Sequence, residues 1–151
     1  MIAEINVEEI LDSSVRDISR RVGKLEVIDS QKGSVGELES PLTVCVETTG
    51  ERQEVLSFCV DGQVMETMAR NMMHGAEVNE KDIEYCAMEF FNILCGRVIS
   101  TINRTYNTRM RFSVPSIRKG NCSNDEGEKI WSQWSYNYSC GAAKFIVMTK
   151  I

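Results

Sequence analysis

Apolar positions recur along this chain at two different periods, and the changes of period divide it into elements. From Asn6 the period is helical. Leu11, Val15, Ile18 and Val22 fall four, three and four residues apart, which places them on one face of a helix. Asn6 is placed to cap that helix, with Glu9 three residues on as in a capping box, and Gly23 is placed to end it. Three β-like stretches follow, at 24–32, 42–47 and 54–60. The middle one alternates Leu42, Val44 and Val46 with Thr43, Cys45 and Glu47, and the last carries Val55, Leu56, Phe58 and Val60. Thr49-Gly50-Glu51-Arg52 reads as the hairpin link between those two, and 33–41 as the loop before them.

Asp61-Gly62 opens a second helix, with Val64, Met65, Met68 and Met72 as its apolar stripe and His74-Gly75 as its end. Asn79 caps a third, with Glu80 and Asp82 in the first turn where the helix dipole favours acid. This helix is long and runs to about Asn103. Met110 to Val114 alternates and stops at Pro115, and 115–128 is polar and glycine-containing, so it reads as loop. Two strands, 131–138 and 143–151, finish the chain. Strands and helices are segregated rather than alternating, which predicts an α+β fold: an antiparallel sheet of about six strands with two long helices packed on one face. The 151 residues suit one domain, 1–151.

Composition narrows the function classes. Seventeen Lys and Arg against 22 Asp and Glu give a net charge of −5, which argues against a nucleic-acid partner needing a basic face. No apolar run approaches the length of about eighteen residues that a membrane helix requires, so no membrane partner is expected. The N-terminal residues are acidic and lack a basic stretch followed by an apolar core, so no secretory signal is expected and the reading is cytoplasmic. Six cysteines, at 45, 59, 86, 95, 122 and 140, contain no C-x-x-C pair, and the chain has one histidine, His74. No metal site is read from them. Those at 45, 59, 86 and 95 lie in apolar segments, where a free thiol behaves as a small hydrophobe. The methionines at 65, 68, 72 and 73 read as core filler. Trp131, Trp134, Tyr136 and Tyr138 read as aromatics packed on a sheet or a partner subunit.

Candidate chemistry lies on the third helix. At roughly 100° per residue, Ile83, Ala87, Phe90, Leu94 and Val98 fall on one side with Phe91 at its margin. Tyr85, Met88, Glu89, Asn92 and Gly96 fall on the other. Glu89 and Asn92 are neighbours at i, i+3, and Gly96 removes bulk one turn beyond. On the outer face of an amphipathic helix such a pair is ordinarily just solvated, and its spacing alone does not distinguish that from a functional pair.

The sequence Met68-Ala-Arg-Asn-Met-Met-His-Gly75, followed by Glu89-x-x-Asn92 and Gly96, resembles the CheX branch of the CheC/CheX/FliY phosphatases. That family's pattern is Asp or Ser, three residues, Glu, two residues, Asn, twenty-two residues and Pro. Glu89 and Asn92 match, Pro115 follows Asn92 with twenty-two residues between, and Gly120 matches a Pro-x-x-x-x-Gly stretch. Tyr85 stands where the pattern has Asp or Ser. The chain carries one Glu-x-x-Asn, as CheX does, where CheC typically carries two.

The resemblance implies a phosphatase acting on the aspartyl phosphate of a CheY-like response regulator. Asn92 would orient the attacking water, and Glu89 would engage a lysine of the regulator. No cofactor is expected in this chain, and the Mg2+ of the reaction would sit on the partner receiver domain. A homodimer is also implied, with the last strand as the expected edge. Tyr85 leaves a second reading open: a non-catalytic CheX-like module that binds a receiver or dimerises without hydrolysis. A third is an α+β ligand-binding domain that carries the motif by chance.

Overall fold

The computed structural model describes residues 2–33, 36–122 and 128–150. Its elements run α1 (Ile2–Arg21), β1 (Asp29–Lys32), β2 (Leu42–Thr49), β3 (Glu54–Val60), α2 (Gly62–Met72), α3 (Glu80–Tyr106), β4 (Arg111–Phe112), β5 (Ser116–Lys119), β6 (Glu128–Tyr138) and β7 (Gly141–Lys150). The class is α+β, as the segregated pattern predicts.

Seven strands form one antiparallel sheet in the order β1-β6-β7-β3-β2, with β4 and β5 both on the far edge of β2. The expected count was about six. The additional strand is β5, which lies in the polar stretch read as loop. It pairs Ser116–Lys119 with Cys45 back to Leu42 through its backbone, and its side chains stay largely exposed. Part of that expected loop, 123–127 with Asn124 and Gly127, lies outside the described residues, as do Ser34, Val35 and Ile151.

Alternation along the strands sorts the two faces of the sheet. One row across the inner face runs Ile117, Val44, Phe58, Phe145 and Trp134 in register. It meets Leu11, Val15 and Ile18 of α1, Val64, Met65 and Met68 of α2, and Phe90, Leu94 and Val98 of α3 in one buried cluster. Phe58, Phe90, Phe91 and Phe145 meet at its centre, one pair stacked and two tilted, with ring centroids 5.6 to 6.2 Å apart. The outer face carries Cys45, Val55, Ser57, Cys59, Ile146 and Met148, with Val55, Ile146 and Met148 forming a second, small cluster beside Cys122. All seven residues of β3 are therefore buried.

Most element ends shift by a few residues from the sequence reading, as where β6 begins at Glu128 and α3 runs on to Tyr106, and three differences matter to the fold. Helix α1 begins at Ile2, a turn before Asn6, because the helical conformation continues N-terminally through the candidate cap. Only Asp29–Lys32 of the stretch 24–32 is strand: pairing with β6 begins at Asp29, and Lys24, with a left-handed backbone (φ 54°), belongs to the turn that follows α1. And β7 is no edge. It pairs β6 on one side and β3 on the other, so both rows of its backbone groups are used within the sheet. Among the described residues, the strands with a free side are β1 at one end and β4 and β5 at the other.

Two local devices fix α3. At its start Asn79 Oδ1 accepts from the Asp82 amide at 2.9 Å while Asp82 Oδ2 accepts from the Asn79 amide at 3.0 Å, a complete capping box. Along its length Arg97 Nη1 donates to Asp17 Oδ2 of α1 at 2.6 Å.

Candidate active site

The site is built where the exposed face of α3 meets the link between β4 and β5. The helix is held from behind by Cys86, Ala87, Phe90, Phe91, Leu94 and Cys95, each 2% exposed or less. With that face committed to the core, the remaining stripe is turned outward: Asn92 is exposed, and Met88 and Glu89 are half-buried.

The opposite wall is set by a register mismatch. Thr48 of β2 pairs with Phe112 and Cys45 with Ser116, so two residues of β2, Val46 and Glu47, oppose three, Ser113, Val114 and Pro115. The extra residue makes a bulge, the usual device for re-aiming a side chain at a sheet edge. Ser113 anchors it from both ends: its amide donates to the Glu47 carbonyl at 2.9 Å, and its hydroxyl accepts from the Glu47 amide at 2.9 Å. Pro115 has no amide hydrogen to continue the ladder. Val114 is left 87% exposed. Upstream, the Asn103 side chain clasps Met110 by accepting from its amide at 2.9 Å and donating to its carbonyl at 3.0 Å. The end of α3 and the start of β4 are thus tied to each other before the bulge begins.

Tyr85, Met88, Glu89, Asn92, Val114 and Pro115 line one concavity of 310 Å³. The two residues read from the sequence as reactive are therefore together, and Pro115 of the same motif stands across from them. Among the described residues neither the Glu89 carboxylate nor the Asn92 carboxamide forms a hydrogen bond or ion pair within the chain, so both are available to a partner. Glu89 makes the local field negative. With Asp82 it adds to the effect of burial in pushing the Cys86 thiol above its ordinary range, which keeps that cysteine protonated and inert.

Other sequence candidates lie elsewhere. Gly96 does not line the concavity, and a Cβ built on it meets nothing within 4 Å. Gly120 follows β5 with a left-handed backbone (φ 107°) and lines a separate hollow of 550 Å³ beside the starts of α2 and α3. That hollow is larger but does not hold the carboxylate and carboxamide pair. His74 is exposed in the left-handed turn after α2. Met65 and Met68 are fully buried core and Met72 and Met73 are partly buried against it; Tyr136 and Tyr138 are buried, and Trp131 and Trp134 partly so. Among the described residues, no three or more of His, Cys, Asp and Glu are grouped to hold a metal ion. Among the described residues, no helix is long and apolar enough to cross a membrane.

Sequence reasoning missed Val114 as a wall of the site. Its only local signal was the proline that interrupts an alternating run; the mismatch that exposes it arises from pairing with a strand more than sixty residues earlier.

At the level of sequence, no curated protein matches the chain. Among solved structures, the chemotaxis protein CheX from Desulfovibrio desulfuricans superposes with a TM-score of 0.81 at 10% identity, covering 96% of this chain and 99% of that one. CheX from Vibrio vulnificus gives a TM-score of 0.75 at 15% identity, covering 95% of each chain. The CheX-CheY-BeF3-Mg2+ complex from Borrelia burgdorferi gives 0.72 at 14%, covering 93% and 95%. At such identities the likeness establishes the fold. The family model for the chemotaxis phosphatase CheX matches residues 42–129, from β2 through the α3 site and the bulge. With more than half its length matched in this way, the chain belongs to the CheX family of chemotaxis phosphatases.

Proposed function

We propose that this protein hydrolyses the aspartyl phosphate of a CheY-like receiver domain, with Asn92 orienting the attacking water and Glu89 engaging a lysine of the receiver. The observation that carries this reading is the placement of Glu89 and Asn92, one carboxylate and one carboxamide without internal partners, on the outward face of a rigidly packed helix.

An acyl phosphate needs little covalent chemistry from a phosphatase. It needs a water held in line with the departing carboxylate and charge placed around the phosphoryl oxygens. A carboxamide suits the first task, because its oxygen accepts from the water while its NH2 donates to a phosphoryl oxygen. A carboxylate facing the phosphate would repel it, so Glu89 acts on a cation instead. Drawing a receiver lysine to Glu89 docks the partner in register with Asn92. The Mg2+ of the reaction belongs to the receiver's own acidic residues. The family assignment and the solved CheX-CheY complex among its structural relatives support a CheY-like partner. Self-association of the kind the resemblance implies would use β1 or the β4 and β5 edge, since β7 is paired on both sides.

The test is phosphate release from phosphorylated receiver domains of the same organism, at low ratios of this protein to receiver. Wild type should shorten the phosphorylated lifetime of at least one receiver, and Asn92→Ala should lose roughly a hundredfold or more of that acceleration, the scale of removing one positioned polar group. An unchanged lifetime across all receivers, or an Asn92→Ala protein as active as wild type, overturns the reading. Tyr85, in place of the family's Asp or Ser, favours one alternative: a module that binds receivers without hydrolysing them. It predicts binding by both proteins and acceleration by neither.

A further inference from the structure

Among the described residues four large hydrophobic side chains stand well exposed: Ile28, Tyr85, Val114 and Ile130. Two of these, Tyr85 at 64% and Val114 at 87%, stand on opposite walls of the concavity that holds Glu89 and Asn92. Tyr85 comes from α3 and Val114 from the bulge, so two unrelated elements bring apolar groups to one opening.

We propose that Tyr85 and Val114 are the docking jaws of this site, and that they select a receiver presenting an apolar side chain beside the lysine that meets Glu89. This inference rests on the phosphatase reading for the identity of the occupant, and it concerns affinity and choice of partner rather than the chemical step. Tyr85 lies one turn before Glu89 and two turns before Asn92 on the same stripe. Neighbours at i, i+4 are about 5–6 Å apart, so a partner that reaches Glu89 comes within contact range of the tyrosine. A helical side chain leans toward the N-terminus, which spreads the ring along the approach to the pair rather than over it.

The energetics point the same way. A tyrosine buries a large apolar area on contact while retaining a polar tip, and it loses few torsions, which is why tyrosines are enriched among interface residues that dominate binding. Val114 is pre-positioned. Its backbone is fixed between Ser113, bonded at both its amide and its hydroxyl, and Pro115, whose φ is locked. A jaw already held in place costs little ordering on binding. Tyr85 also stands where the resembling family has a small or anionic residue. A partner that sets an anion or an unpartnered neutral polar group at that point would leave it desolvated against an aromatic ring, whereas an apolar side chain gains from the contact. Tyr85 touches neither the water nor the phosphoryl group in this arrangement, so it is a specificity residue and not a catalytic one.

The test uses the full chain and the receiver domains of the same organism, each loaded with beryllofluoride and Mg2+ as a stable stand-in for the phosphorylated state. Binding is measured for wild type, Tyr85→Ser, Val114→Ser and Tyr85→Phe, and kcat and KM for dephosphorylation are measured alongside. The exposed positions make folding defects easy to exclude by thermal unfolding. Loss of either jaw should weaken binding and raise KM by roughly tenfold or more, leave kcat at saturation within about twofold, and be rescued by Tyr85→Phe, which keeps the ring. Serine variants that bind as tightly as wild type overturn the inference, as does a loss that falls wholly on kcat. A wild type that binds none of the loaded receivers also overturns it. Binding that depends on Tyr85 and Val114 but brings no faster dephosphorylation overturns the phosphatase reading and leaves the docking jaws supported.

Discussion

The two faces of α3 are built from the same 27-residue helix and answer to different demands. On one, Phe90, Phe91, Leu94 and Cys95 are fully enclosed; Phe91 stacks on Phe58 and meets Phe145 tilted, and Phe90 meets Phe58 tilted. On the other, Tyr85, Glu89 and Asn92 line an open hollow. The enclosed face spends its side chains on neighbours within the chain, so its identity is set by volume and shape. The open face has nothing to gain from those neighbours, so its identity is free to be set by a partner. A well-packed inner face also fixes the backbone from which the outer side chains project, which is what action on a partner would require.

The largest effect that can break this contrast is on stability. Phe90→Ala removes a ring at the centre of the main cluster and leaves a cavity, and it should lower the free energy of unfolding by about 3–5 kcal/mol. Asn92→Ala should change it by no more than about 0.5 kcal/mol. Urea unfolding of the two proteins measures both. A Phe90→Ala protein within about 1 kcal/mol of wild type, or an Asn92→Ala protein as destabilised as Phe90→Ala, would show that the faces are not separated as described.

How much of this could be read before the fold was in view differs element by element. The inner face of α3 was legible, because burial against a sheet imposes the helical period directly: Ala87, Phe90, Leu94 and Val98 are all core. Phe91, read at the margin, is fully buried because α3 is packed by the sheet and by both other helices, which widens the enclosed arc. The Asn79 cap was legible since it involves only four consecutive residues. Strand β5 was not, because it is held by backbone pairing at an edge and buries few side chains, leaving no alternation to detect. The place of β7 was misread although its signal was present. Phe145 and Val147 face the helices while Ile146 and Met148 face outward, and apolar residues on both faces mark an interior strand. In the site, Glu89 and Asn92 came from a local motif; Val114 came from pairing between distant strands, which no local pattern records.

A smaller effect sharpens the contrast on the open face itself. Gly96 lies on the same stripe as Glu89 and Asn92, and a Cβ there meets nothing within 4 Å. Gly96→Ala should therefore stabilise the protein by about 0.4–1 kcal/mol, through helix propensity and a less flexible unfolded chain. Thermal unfolding reads that gain. Activity on the receiver reads something else: a methyl that leaves dephosphorylation unchanged places the partner away from this turn, and one that raises KM places the partner against it. A destabilised Gly96→Ala protein would mean that this face of α3 is enclosed in solution.

The smallest effect concerns the third side of α3, which is bound by charge rather than by packing. The Arg97 hydrogen bond to Asp17, opposed in part by desolvation and aided by the charges of Arg21, Arg97 and Arg20, holds the Asp17 carboxyl below its ordinary range. A carboxyl depressed in the folded state contributes stability that is present in full above its unfolded value of about 3.9 and is lost as the pH falls through the folded value. Wild type should therefore exceed Asp17→Asn in stability by a constant margin near neutrality, and the margin should shrink once the pH drops below about 4. Glu54 runs in the opposite sense. Burial pushes its carboxyl up in spite of Arg52, so its contribution is present at low pH and is lost as the pH rises. It is common to both proteins and cancels in the difference. Water reaches the Asp17 pair, which keeps the margin small and makes it sensitive to salt. Unfolding midpoints of the two proteins between pH 2.5 and 7 give the answer: a margin that narrows on acidification assigns it to the Asp17 carboxylate with Arg97 of α3 and Arg20 and Arg21 of α1, and one that widens or stays flat takes it away from that group.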